Sequence, residues 1–189
     1  MTRKPLGVLA LLAVLATLGA GGPAAAAPVA AKQSTIEKAG TATAIAMPIV
    51  AGGIALMHRR DWTGVAQMAV STAATVGTAL ILKQVVREQR PDHSDFQSFP
   101  SDTAALADAP AFFLWRRYGW EYGVPATLAA AFVSYSRVDA QKHHWYDVAA
   151  SGALAAGFNF AFVREYQQPL GIYAEANPDG VGLRVALTW

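Results

Sequence analysis

The chain has 189 residues, 53% of them hydrophobic and only 15% charged, with 40 alanines and no cysteine. That balance excludes a disordered chain, which needs low hydrophobicity and high net charge, and the length suits one domain. Lack of cysteine excludes disulfides, thiolate-ligated metal centres and a thiol nucleophile, and the formal charge of +2 falls to zero once Arg3 and Lys4 are set aside, which leaves little support for a nucleic-acid partner.

At the N-terminus, Arg3-Lys4, the apolar run from Leu6 to Ala20 and the break at Gly21-Gly22-Pro23 have the pattern of an export signal. Ala24-Ala25-Ala26 and Val29-Ala30-Ala31 both satisfy the small-x-small cleavage rule. Residues 1–31 are therefore expected to be a signal peptide or an uncleaved signal anchor. Residues 32–165 are expected to form a helical domain and residues 166–189 a C-terminal β-hairpin tail.

The first helix is expected over the uncharged run Ala39 to Met57, with Pro48 as a kink, and His58-Arg59-Arg60-Asp61 ends it. Trp62 opens a second uncharged run to Leu82, and its helical pattern extends to about Gln89, where Arg90-Pro91 stops it. Asp92 to Pro100 is a polar loop. Ser101-Asp102-Thr103 has the form of an N-cap with an acidic first turn, starting a helix to about Arg117. After Tyr118-Gly119-Trp120, helices are expected from Glu121 to Ser136 and from His143 to Val163. Leu170 to Ala176 and Val181 to Trp189 alternate like strands around the turn signal Asn177-Pro178-Asp179-Gly180. The fold class expected is all-α: an antiparallel bundle of about five helices, six with the signal segment, and a short C-terminal hairpin.

The first two helices approach the length of a membrane span. Arg59-Arg60 and Arg116-Arg117 flank apolar runs, and Trp62, Trp115, Tyr118, Trp120 and Tyr122 cluster at the same ends, as in positive-inside loops with an aromatic belt. An inner-membrane protein with an outward site is expected; a soluble or peripheral periplasmic bundle is the alternative.

Because charge is scarce, its placement is informative. Lys83 and Arg90 are seven residues apart, on one face if the helix continues. Ser101 to Thr103 opens a helix whose free N–H groups suit an anion. His143 and Asp147 are four apart, so the carboxylate can hold one imidazole nitrogen and leave the other to act. If helices alternate in direction, Lys83, Arg90, Ser101, Asp102, Arg137, His143 and Asp147 meet at one end and the arginine pairs lie at the other. Asp108, in an apolar helix, is either a functional carboxylate or a group facing a water-filled gap.

Lys83-x6-Arg90-Pro91, Pro100-Ser101 and Ser136-Arg137-x5-His143-x3-Asp147 together resemble the three-part signature of the type-2 phosphatidic acid phosphatases, which share a superfamily with bacterial acid phosphatases and vanadium haloperoxidases. The resemblance covers about Lys83 to Val163. It implies a helical fold and phosphate-ester or diphosphate hydrolysis with no metal and no cofactor. His143 would be the nucleophile, Asp147 its orienting carboxylate, and Lys83, Arg90, Arg137 and Ser101 the phosphate cradle. The implied partners are a lipid phosphate or prenyl diphosphate and membrane lipid, with no nucleic acid and no obligate protein partner. One block departs from the family: Asp102-Thr103 follows Pro100-Ser101 where the family has Gly-His, and that histidine is the family's proton donor. Three readings stay open: Asp102 is the acid, the substrate is a diphosphate whose leaving group needs little help, or the site binds anionic lipid without catalysis. A haloperoxidase-like oxidase is a further alternative, disfavoured by the small size.

Overall fold

In the computed structural model, the described residues are 29–58, 60–166, 171–177 and 180–186, with side chains described over 35–58 and 60–166. The expected export signal therefore lies almost wholly outside them, as do Arg59 and the tip of the C-terminal turn. Five helices occur among the described residues: α1 (Val29–Met57), α2 (Trp62–Val85), α3 (Asp102–Tyr118), α4 (Trp120–Asp139) and α5 (Trp145–Phe162). Two strands follow, β1 (Gly171–Asn177) and β2 (Gly180–Ala186), paired antiparallel with Asn177 opposite Gly180.

Local chemistry sets the helix ends. Asp61 caps α2 by accepting the Gly64 N–H at 2.9 Å. Ser101 caps α3 through the Ala104 N–H at 3.3 Å. Gly119 alone links α3 to α4, at φ +89°, a conformation that favours glycine. Helix α2 stops at Val85, not near Gln89 as the pattern suggested. Proline at 91 disfavours helical backbone at Arg90, and Asp95 competes for the local donors: its Oδ1 accepts both Arg90 Nε–H and the Gln97 N–H. Arg90 consequently lies in the loop, not on a helix face shared with Lys83. Likewise α5 begins at Trp145, with His144 as its N-cap, so His143 precedes the helix.

Helix α3 packs against all four other helices. Its buried residues are mostly alanines (104, 105, 107, 109 and 111), with Phe113 and Leu114 at the far end. Small side chains let helix backbones approach closely, and at Gly40 on α1 an added Cβ would overlap the Ser136 side chain on α4.

On α2 the buried face is small and polar and the exposed face is apolar, opposite to a helix of a water-soluble protein. The buried stripe of α2 is Gly64, Met68, Ser71, Thr75, Ala79 and Lys83, while Val70, Leu80 and Ile81 point outward. Ile45, Ile49, Leu128 and Phe160 are also exposed, whereas Asn159 is buried. The Asn159 Nδ2 group donates to the Ala109 and Ala155 carbonyls, while its Oδ1 has no partner among the described residues. Thr35–Met57 and Trp62–Val85 are long and apolar enough to cross a membrane.

At the end of the helices away from Lys83, Arg117 is buried and forms a two-pronged ion pair with Asp61, at 2.5 and 2.6 Å. The Tyr118 hydroxyl donates to the same carboxylate at 2.7 Å. Arg117 also donates to the Gln67 side chain and the Arg164 carbonyl. It is therefore a structural tie between the α1–α2 loop, α3 and the chain after α5, and not the free flanking charge expected from its sequence position. Arg117→Met strands a buried carboxylate and is expected to lower stability by about 3–5 kcal/mol. Adding Asp61→Leu should restore part of the loss. Unfolding of the single and double variants in detergent measures both.

Candidate active site

Three segments meet where α2 ends and α3 and α5 begin. Lys83, in the last turn of α2, is 5% exposed; its ammonium donates to the Gln97 carbonyl at 2.8 Å and lies 3.2 Å from Asp102. Arg137, in the last turn of α4, is equally buried and donates to the Glu37 carbonyl of α1 at 2.5 Å and to Ser136 Oγ at 3.2 Å. Arg90 reaches from the loop to Asp95 at 2.7 Å and to the Lys142 carbonyl at 3.4 Å. Arg137 feels the charges of Asp102 and Arg90, and Asp102 those of Lys83 and His143, so the five groups form one electrostatic neighbourhood. Burial, with repulsion from Arg90, pulls the Arg137 guanidinium below its usual value against the opposing pull of Glu37 and Asp102. Arginine stays charged regardless. Each cation already has a carboxylate within 4.0 Å, Asp102 for Lys83, Asp95 for Arg90 and Glu37 for Arg137, so an incoming anion would compete with those pairs for the same donors.

His143 is buried, and its Nδ1 lies 2.7 Å from the Ser98 carbonyl oxygen. A carbonyl only accepts, so Nδ1 carries the proton and neutral imidazole keeps its lone pair on Nε2. Asp147 Oδ2 is 3.7 Å from Nδ1, beyond hydrogen-bond distance. It therefore acts on the ring through its charge, while the backbone of Ser98 sets the tautomer, a task the four-residue spacing alone assigned to Asp147. Asp147 is in turn gripped by Ser98 Oγ–H at 2.5 Å and the His144 N–H at 2.7 Å. Its burial pushes the carboxyl up, but His143, Ser98 and the His144 N–H outweigh this and hold it at about 2.

Ser101 is fully buried. Its hydroxyl caps α3, its N–H donates to the Asp147 carbonyl at 3.3 Å, and its carbonyl accepts Ser151 Oγ–H at 2.7 Å. It thus pins the start of α3 to α5 beside the cradle. Burial raises the Asp102 carboxyl, but the nearby Lys83 charge and hydrogen bond prevail and hold it below the usual carboxylate range. With Lys83 beside it, Asp102 is an anion at neutral pH, not a ready proton donor. Ser98, Gln97 and Glu37 went unassigned from sequence: two act through backbone carbonyls and Glu37 chiefly so, and a carbonyl leaves no signature in residue type. Ser98 Oγ had a weak signal, as a serine two residues before a motif proline. His93 is exposed, and His144 is stacked on Tyr146 with Nδ1 3.3 Å from both Ser98 Oγ and Asp147.

Glu88, His144 and Asp147 bring potential metal-ligand atoms within 4.8 Å of one another. One oxygen of each carboxylate already serves protein donors: Glu88 Oε1 accepts the Tyr146 hydroxyl, and Asp147 Oδ2 accepts Ser98 Oγ–H and the His144 N–H, while Asp147 Oδ1 is without a partner among the described residues.

The PAP2 superfamily model matches residues 64–169, and the chain belongs to that superfamily. The chain is also 30% identical to the lipid A 4'-phosphatase of Helicobacter pylori (strain J99) over 148 residues, covering 72% of this chain and 74% of that protein. No solved structure gives a significant match.

The Asp147 carboxyl sits below its unfolded value of 3.8 in the folded protein. It therefore stabilises the fold above about pH 4, and that contribution fades as pH falls through about 2. Asp147→Asn should flatten the acid limb of a stability-against-pH curve over that window; an unchanged limb would show that the carboxylate is not held as the geometry indicates.

Proposed function

We propose that the chain is a membrane-bound, metal-independent phosphatase that hydrolyses a lipid phosphate or diphosphate through a phosphohistidine at His143. The observation that carries this reading is the His143 imidazole held through Nδ1 by the Ser98 carbonyl, with Nε2 as its base, in one electrostatic neighbourhood with Lys83, Arg90 and Arg137. The family and the lipid phosphatase relative support it.

The three cations neutralise the phosphoryl oxygens, with the N–H groups at the start of α3 completing the cradle beside Ser101. His143 Nε2 attacks phosphorus, the bond to the lipid oxygen breaks, and the imidazole gains a full positive charge. Asp147, 3.7 Å from Nδ1, stabilises that charge without taking the proton. Water then attacks the phosphohistidine, and inorganic phosphate leaves with His143 restored.

The leaving lipid oxygen needs a proton if it departs as an alkoxide. In the empty site Asp102 is ion-paired with Lys83. A bound phosphoryl dianion competes for that ammonium and repels the carboxylate; both effects raise the Asp102 pKa toward protonation. Asp102 then donates to the leaving oxygen. The same ion pair favours a second reading, an anion binder whose acid is lost: Lys83 is already half-neutralised by a residue where the family carries Gly.

Helices α1 and α2 cross the bilayer in this reading. Their outward apolar faces and small or polar buried stripe fit lipid better than water. The site faces the outer, periplasmic side, as the export signal implies.

Phosphate release from lipid phosphates, prenyl diphosphates and aryl phosphates in the presence of chelator tests the reading. His143→Asn should abolish it in every case, and wild-type inactivity on all three classes would overturn it. Asp102→Asn should slow alkyl phosphates by about 10²–10⁴ and spare aryl phosphates or diphosphates, whose leaving groups need little proton help. Replacing Asp102-Thr103 by Gly-His distinguishes the second reading: activity that first appears in that variant marks the natural site as a binder.

A further inference from the structure

Asp108 has no part in the chemistry above. It is 8% exposed, on an otherwise apolar stretch of α3, and its Oδ2 is buried without a hydrogen-bond partner among the described residues. Leaving such an oxygen unpaired costs about 1–3 kcal/mol. The helix does not need a carboxylate there, because the neighbouring buried positions are alanines and Pro110.

Asp108 lines a cavity of about 280 Å³ between α3, α4 and α5. Its α4 and α5 walls run along their helices toward Arg137 and His143. On α4 the lining residues Thr127, Ala131 and Ser134 step by four and three, and one further step of three reaches Arg137. On α5 the lining begins at Trp145, two residues after His143, and continues through Val148 to Gly152. On α3, Asp108 lies six residues beyond Asp102, about 9 Å along the axis. The α5 wall is glycine where it faces the carboxylate: a Cβ at Gly152 would stand 3.7 Å from Asp108 Oδ2. The volume is too small for a whole lipid and suits the first segment of a chain whose phosphate sits in the cradle.

We infer that this groove seats the lipid part of the substrate next to the phosphate, and that Asp108 accepts a hydrogen bond from a hydroxyl or amide N–H carried there. Asp108 is thereby a specificity-determining residue that favours lipid phosphates with a donor close to the head over plain diacyl esters. The inference rests on the phosphatase reading for its substrate. A buried oxygen without a partner is the kind of group that rejects a ligand lacking the matching donor, because the penalty is then left unrelieved.

The test compares three lipids on wild type and on Asp108→Leu: phosphatidic acid with plain acyl esters, the same lipid with 3-hydroxyacyl chains, and ceramide 1-phosphate, which adds an amide N–H. An aryl phosphate, which has no chain, reports folding and chemistry. Wild type should prefer one or both donor-bearing lipids by about 10–100-fold in kcat/KM, as expected for one buried hydrogen bond. Asp108→Leu should lose that preference and keep aryl phosphate and plain phosphatidic acid hydrolysis. No preference in wild type, or an equal preference in the variant, overturns the inference. Equilibrium binding of the same lipids to His143→Asn protein, with and without Asp108→Leu, reads the preference without turnover. If no phosphate is ever released but binding still depends on Asp108, the phosphatase reading falls and the groove assignment stands.

Discussion

The junction between the Ser98–Ser101 segment and the start of α5 governs the site. Asp147 holds it together: its carboxylate takes the Ser98 hydroxyl and the His144 N–H, and its own carbonyl takes the Ser101 N–H. Ser151, one turn further along α5, closes the contact on the Ser101 carbonyl. Because Ser98 is fixed in this way, its carbonyl is aimed at His143 Nδ1, and the imidazole is left one tautomer when neutral. The orientation of His143, the proposed nucleophile, therefore follows from helix capping. An acid at the third position of α5 does in one stroke what an N-terminal helix needs and what a reactive imidazole needs.

The rest of the fold keeps that junction in place with little charge to spare. Small residues prevail on the buried faces, glycine, serine, threonine and alanine on α2 and five alanines on α3, so the helices sit close there, while Phe113 and Leu114 fill the far end of α3. Contacts of this kind gain little from expelling water and depend on close packing and on satisfied polar groups. Several buried polar residues bind partners that join two segments: near the site Lys83 to the Gln97 carbonyl and Arg137 to Glu37 on α1, and toward the other end Asn159 to Ala109 on α3. Lys83 and Arg137, proposed to bind the phosphate, thus double as ties between segments.

How much of this the sequence disclosed depended on whether side chains or backbone did the work. The helices around Lys83, Asp102, Arg137 and Asp147 were legible because apolar runs stop at ionic residues, and the convergence of those residues followed from alternating helix direction. The superfamily resemblance drawn from the same residues is borne out. What stayed hidden was set by carbonyls and by loop geometry. Nothing in the identity of Ser98 or Gln97 announces an oxygen aimed at His143 or Lys83. The extension of α2 past Val85 failed because Asp95 binds Arg90 and the Gln97 N–H, a tertiary choice that helical periodicity does not encode. Arg117 misled for a related reason: next to Arg116 at a helix end it resembles a membrane-flanking charge, and only the fold shows Asp61, 56 residues away, in its grip.

The two carboxylates that hold cations at opposite ends of the helices show how one interaction type serves two purposes. Asp61 binds Arg117 through both oxygens, is capped by the Gly64 N–H and the Tyr118 hydroxyl, and is nearly sealed from water. No ligand displaces such a carboxylate cheaply, because each donor would be left unpaired in an apolar setting. Asp102 meets Lys83 through one contact at 3.2 Å and keeps 40% of its side chain exposed. Separating that pair strands nothing: Lys83 retains the Gln97 carbonyl, and Asp102 turns to solvent or to a proton. The permanent pair locks the fold. In the proposed mechanism the exchangeable pair stands where an incoming phosphate claims the ammonium, so the residue that departs from the family pattern sits where substrate would most easily change its charge.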